Sequence, residues 1–153
     1  MKPIEVLKAS RLFRNMPAHL LEKLAGTAIE RTYTPGQDLV KQGTANRNIY
    51  LLGSGSVKVL KGQPGGSVEE VALLGAGTTL GEMAFVDGEP RSTSVEVIER
   101  AEVILLEHDK LRPVLDADAE LRAAFFEAIA GLLTRRLRGA TDDVATLRTV
   151  LKR

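Results

Sequence analysis

Apolar residues recur at helical spacing in "IEVLKASRLF" and again in "PAHLLEKLAGTA", where Pro17 suits the first turn of the second helix. From residue 28 the period changes. "AIERTY", "DLVKQG", "NIYLLGSG", "SVKVLKG", "VEEVALLG", "TTLG", "TSVEVIER" and "AEVILLEH" are short apolar runs, several of them alternating with polar residues. Between them "TPGQ", "GQPGG" and "LGAGT" are turn sequences. Helical spacing returns at "HDKLRPVL" and continues in a long segment from about Asp118. The glycines divide the chain in the same way: eleven of fourteen lie between Gly36 and Gly88, and two follow Pro113. The pattern predicts a mainly β protein with helical flanks, an eight-stranded jelly-roll-like β-roll with N-terminal helices and a long C-terminal helix. At 153 residues it is expected to be one domain, with helices over 1–28, the β-roll over 29–107 and C-terminal helices over 108–153.

Composition narrows the function classes. A formal net charge of +1 argues against a generally basic surface, so no nucleic acid is expected as a partner. The absence of cysteine excludes disulfides, iron–sulfur clusters and thiol catalysis. The opening "MKPIEVLKASRLF" has no signal-peptide core, and no apolar run approaches membrane-spanning length, which predicts a cytoplasmic protein without a membrane partner. A cupin-like metal enzyme on a jelly roll would need clustered histidines. His19 and His108 are far apart in sequence, so no metal ligand and no catalytic residue is assigned. No nucleophile-elbow, Walker, zinc or paired-acid pattern is present, and the protein is not expected to be an enzyme.

One stretch carries chemistry. In "LGEMAFVDGEPRST", residues 80–93, a strand end is followed by Gly81, Glu82, one apolar helical turn, an acidic loop, and then Pro90, Arg91 and Ser92. Gly81 permits close backbone approach, and the first amides of a helical turn lack intrahelical acceptors and favour anions. Glu82 repels phosphate but accepts from a hydroxyl, while Arg91 and Ser92 offer donors that suit phosphate oxygens. The residues alone leave two readings open: an ion pair between Glu82 and Arg91 on a hairpin, or a cradle for a ligand bearing both a phosphate and a hydroxyl.

"GEMAFVDGEPRSTSV" resembles the phosphate-binding cassette of cyclic-nucleotide-binding domains, which runs approximately F-G-E-L/M-A-L, a short variable loop, then P-R-x-A-x-V. The likeness extends to "LKASRLFRNMPAHLLEKLA", "YTPGQDLVKQGTANRNIYLLGSGSVKVL" and the C-terminal helices, which resemble the family's flanking helices, first strands, hinge and lid. The resemblance implies that Glu82 receives the ribose 2′-hydroxyl, Gly81 and Ala84 give backbone contacts, and Arg91 and Ser92 hold the cyclic phosphate. Met83 and Thr93 complete the cassette side of the implied site, and Thr141 and Asp142 fall where the family's lid helix reaches the purine. Leu80 stands where phenylalanine is usual, and Thr93 where alanine is usual. Serine at position 92 does not discriminate, so the implied ligand is a cyclic mononucleotide, cAMP or cGMP, and no other cofactor is called for.

The C-terminal segment carries an apolar seam at Phe126, Ala130, Leu133, Leu137, Ala140, Val144, Leu147 and Leu151, spaced alternately by four and three. A narrow a/d seam predicts a homodimer through residues 126–151, whereas Phe125, Ile129 and Leu132 lie off it and are expected to pack on the β-roll. Arg135, Arg136 and Arg138 are read as a solvated face, and Gly139 as a weak point where the helix can bend. The sequence resembles the sensory half of catabolite-activator-type regulators and stops at Arg153, where such regulators continue into a helix-turn-helix. The expectation is a stand-alone sensor that signals to an unknown downstream protein through its last helix. A truncated or unconventional transcription regulator and a degenerate domain kept as a scaffold are the alternatives.

Overall fold

The computed structural model describes residues 2–151; residue 1 and residues 152 and 153, the outer bounds of the single-domain reading, lie outside the described residues. The chain runs α1 (Pro3–Ala9), α2 (Ala18–Ala25), β1 (Ile29–Tyr33), β2 (Asp38–Val40), β3 (Ile49–Gly62), β4 (Val68–Gly75) and β5 (Thr79–Leu80). There follow α3 (Glu82–Asp87), β6 (Ser94–Leu106), α4 (His108–Asp116) and α5 (Ala119–Leu151). Every strand-like run is a strand, but the eight runs make six strands. "NIYLLGSG" and "SVKVLKG" fuse into β3, and "TSVEVIER" and "AEVILLEH" fuse into β6. The polar residues between the runs, taken as breaks, are instead irregularities inside one ladder: the β3–β6 register shifts three times between Leu52 and Val57. A bulge absorbs an extra residue and bends a strand without ending it.

Gly55 sits at that bend with φ +85°. A Cβ there would overlap the carbonyl of Arg100 across the ladder and lie 2.8 Å from the Ala101 Cα. Backbone cannot give way as a side chain does. Gly55→Ala is therefore expected to destabilise the domain by about 2 kcal/mol or more, combining left-handed strain with steric overlap. Urea unfolding of the variant beside wild type measures this directly.

All strands form one antiparallel sheet, in which β6 pairs with β1, β2 and β3, and β3 also pairs with β4 and β5. The first half of β3 and the second half of β6 are buried on both faces. Ile49, Leu51, Ile104 and Leu106 face a helical cluster with Leu7, Phe13, Leu24, Leu111 and Phe125. Tyr50, Leu52, Val103 and Leu105 face a second cluster with Val57, Val95 and Val97. Period-two alternation thus places successive residues in two different cores. Phe13, Phe85 and Phe125 are wholly buried, each contributing about 1.5–3 kcal/mol by burial.

Asp118 starts α5: its carboxylate accepts from the Leu121 amide at 3.1 Å, an N-cap bond, and from Lys23 Nζ at 2.5 Å. The Lys23 bond and then the Leu121 amide hold the Asp118 carboxyl below its ordinary range. Leu121, Phe125, Ile129 and Leu132 form the buried stripe of α5, with the last three where the sequence pattern predicts them. The helix then continues unbroken through Gly139 to Leu151. From Thr134 onward every described residue of α5 is exposed, and beyond Arg136 the helix projects about 22 Å at 1.5 Å per residue.

Candidate functional site

Between β5 and β6 the chain leaves the sheet and returns to it, and residues 80–84 and 89–93 line a cavity of about 250 Å³. Gly81, Glu82, Met83, Ala84, Arg91, Ser92 and Thr93 all lie on its wall, with Val40 and Val95 as apolar floor. Gly81 turns the chain into α3 at φ +95°, and a Cβ at this position would overlap both the Arg91 guanidinium and the Asn48 carbonyl. Only glycine meets both the dihedral and the close approach. The first intrahelical bond of α3 runs from the Phe85 amide to the Gly81 carbonyl at 3.1 Å, so the amides before Phe85 have no acceptor within the helix.

Arg91 is buried, yet no carboxylate pairs with it among the described residues. Its Nη2 donates to the Asn46 Oδ1 at 3.0 Å and to the Asn48 carbonyl at 2.5 Å, and its Cζ lies 5.9 Å from the Tyr50 ring centroid. Asn46 is itself fixed, accepting from the Asn48 amide at 2.9 Å and donating to the Tyr50 hydroxyl at 2.8 Å. Neutral oxygens thus orient the guanidinium without cancelling its charge. Burial lowers the Arg91 pKa from the ordinary guanidinium value, partly offset by Tyr50 and Glu82. The side chain remains cationic in any aqueous pH range.

Glu82 is also buried and does not pair with Arg91, which removes the hairpin ion-pair reading. Its Oε1 accepts from Arg136 Nη1, and Arg136 Nη2 donates to the Thr79 carbonyl at 3.3 Å. Arg136, read from sequence as part of a solvated face, is therefore the α5 residue that bonds the Glu82 carboxylate. Thr141 and Asp142 are not brought there. Both are exposed, and the Thr141 hydroxyl donates to the Leu137 carbonyl at 2.9 Å. A signal for Arg136 was present in the sequence: the stripe Phe125, Ile129, Leu132, extended by one turn, lands on it.

Three buried side-chain polar atoms have no hydrogen-bond partner among the described residues: Glu82 Oε2, Arg91 Nε and Thr79 Oγ1. Such orphans are rare in folded proteins, and each costs about 1–3 kcal/mol unless something else meets it. Two of them belong to the cassette, one an acceptor and one a charged donor. Arg47 braces the cassette from behind, its Nε and Nη2 donating to the carbonyls of Ala84 and Phe85 at 3.2 and 2.8 Å. Phe85 carries the cassette into the helical core, with its centroid 5.2 Å from Phe125, 6.5 Å from Phe126 and 5.0 Å from His108. His19 bonds Glu120 at 2.6 Å and His108 bonds Asp109 at 3.0 Å. Among the described residues no helix is long and apolar enough to cross a membrane.

Comparison with known proteins gives the family. The family model for the cyclic nucleotide-binding domain matches residues 30–118. The Cyclic AMP receptor protein of Thermus thermophilus is 32% identical over 143 residues, covering 92% of this chain and 63% of the relative. The Cyclic nucleotide-gated channel alpha-4 of Mus musculus is 26% identical over 130 residues, 81% of this chain and 22% of the channel. The chain thus spans less than two thirds of either curated relative. Among solved structures, a cyclic nucleotide-binding domain from Methylobacillus flagellatus superposes with a TM-score of 0.80 at 25% identity, covering 94% of this chain and 80% of that one.

Proposed function

The chain belongs to the cyclic nucleotide-binding domain family, whose ligand is a cyclic nucleotide, and from that premise we propose that it is a regulatory sensor for a cyclic mononucleotide, cAMP or cGMP. The observation that carries the reading is that Glu82 and Arg91, each with an unmet buried polar atom, line one cavity. A ribose 2′-hydroxyl donates to Glu82, and the cyclic phosphate takes the Arg91 fork, the Ser92 hydroxyl and the amides at the start of α3. Gly81, Met83, Ala84 and Thr93 complete the wall around the sugar and phosphate. Asn46 and Asn48 hold the Arg91 guanidinium in place before the ligand arrives, so little ordering of that side chain accompanies binding.

The signal leaves through α5. Arg136 already lies on Glu82, so a ligand hydroxyl arriving at that carboxylate must share it or displace the arginine. Phe85 transmits any movement of α3 to Phe125 and Phe126 on the same helix. The projecting part of α5, with its exposed apolar seam, is the surface through which two copies associate and occupancy reaches a downstream protein, with Thr141 and Asp142 closing on the purine in the ligand-bound state. A ligand shifts this helix only by its difference in affinity for the two arrangements.

Calorimetric titration with cAMP and cGMP tests the binding reading, and failure of both to bind at millimolar concentration would remove it. Within that assay Glu82→Gln is expected to weaken binding less than Glu82→Ala, because the amide oxygen still accepts from a hydroxyl. Equal losses would mean that the charge, not the acceptor, is what the ligand uses. Hydrogen exchange with and without ligand tests the relay: protection gained from Leu133 to Leu151 is expected, and protection confined to residues 80–93 would leave a binder without a switch.

A further inference from the structure

The third unmet buried atom, Thr79 Oγ1, does not belong to the cassette cavity. Thr79 lines a separate recess of about 380 Å³, whose wall also holds Thr78, Arg11, Arg14, Arg135 and Arg136, with Leu74 and Leu132 as its apolar part. Thr79 is 3% exposed, and its hydroxyl has no protein partner. Of the four arginines, only Arg136 is in an ion pair; Arg11, Arg14 and Arg135 pair with no carboxylate among the described residues. Arg135 instead donates to the backbone carbonyl of Arg11 at 3.4 Å. Glu127 lies on the neighbouring groove beside Arg11 and Arg135 but forms an ion pair with neither.

Guanidinium groups brought around one hollow repel each other, and a surface with a net charge of +1 has carboxylates enough to separate them. We propose that this recess is a second ligand site, for a phosphate or a small phosphate ester. The chemistry fits that class on three counts. Guanidinium forks match the spacing of phosphate oxygens, and several of them reach one tetrahedral group from different sides. A dianion offsets two of the three unpaired charges, where a carboxylate offsets one. The buried Thr79 hydroxyl, a neutral donor, gains the acceptor it lacks. The recess is larger than inorganic phosphate alone requires, which leaves room for the organic part of an ester. Its two threonines and its four arginines come from the loop after α1, from the turn before β5 and the first residue of β5, and from α5. The site therefore exists only in the assembled fold.

The test is inorganic phosphate titrated into the full chain at constant ionic strength, followed through the Nε–H signals of the individual arginines by heteronuclear NMR. Saturable shifts of Arg11, Arg14 and Arg135 at low millimolar phosphate are expected, and acetate at the same concentration should give at least tenfold weaker binding. Arg14→Ala, a change at an exposed position, should weaken the response of Arg11 and Arg135 at least tenfold while Arg91 responds as before. Because Arg91 reports on the cassette separately, the two sites cannot be confused. Shifts confined to Arg91, shifts that rise linearly without saturation, or equal shifts at Arg148 on the distal part of α5 would each overturn the proposal.

Discussion

Arg91→Ala is expected to lower affinity for the cyclic nucleotide by about 10- to 150-fold, corresponding to the roughly 1.5–3 kcal/mol of a hydrogen bond to a charged group. The same substitution should leave the ligand-free fold close to wild-type stability, and Arg91→Met should raise it. The reason is the imbalance around this side chain. Arg91 is buried, its pKa is pulled down by that burial, and its acceptors among the described residues are the neutral oxygens of Asn46 and Asn48. A buried cation without a counterion is a stability cost that an apolar side chain of similar length removes. Asn46 keeps its bonds to the Asn48 amide and the Tyr50 hydroxyl in the variant, so the pocket wall does not collapse with the arginine. Calorimetry gives the affinity and thermal unfolding gives the stability. Lost binding accompanied by a fall in Tm of ten degrees or more would mean that Arg91 is structural, and unchanged affinity would remove the site.

Wild-type protein is expected to be a homodimer at micromolar concentration, and Leu137→Lys or Val144→Lys to dissociate it. Leu137, Val144, Leu147 and Leu151 are each more than half exposed, spaced along one seam of α5 beyond its last contact with the domain. A second α5 laid along that seam buries them by the knobs-into-holes packing of an a/d repeat. A lysine placed there must keep its charge between apolar helices or bend away to solvent, which weakens association by about 3 kcal/mol or more, on the order of 100-fold in Kd. Light scattering over a concentration series measures it. A wild-type chain that stays monomeric at high micromolar concentration, with and without cAMP, would refute the dimer.

The sequence showed the cassette because its parts are contiguous, and both ends of the stretch, 80–84 and 89–93, line one cavity. What it did not show is what reaches the cassette from elsewhere. Asn46, Arg47 and Asn48 sit in a loop whose polar residues look solvated, and only the pairing of β3 with β5 and β6 brings that loop behind Arg91. Arg136 was misjudged for a related reason: three arginines within four positions look like one solvated surface, but one of them continues the buried stripe. The strand count differs at Gly55, where serines and glycine have the composition of a turn and the ladder simply bends, and at Arg100, where a charged step lies inside the continuous β6. Helix positions were the easier part, because the period of an apolar stripe needs no long-range partner.

The ladder between β3 and β6 also sets when the binding site can come into being. Ile49 pairs with Leu106 and Leu60 with Ser94, so the ladder's formation closes a loop that contains β4, β5 and the whole cassette. Pairings this distant in sequence make for slow folding, because much chain entropy is lost before the contacts repay it. During synthesis, neither Asn48 nor Arg91 can meet its partner until β6 has left the ribosome and paired with β3. Ligand affinity should therefore appear abruptly, once the chain has emerged well past Leu106, with no partly formed precursor that competes for the nucleotide.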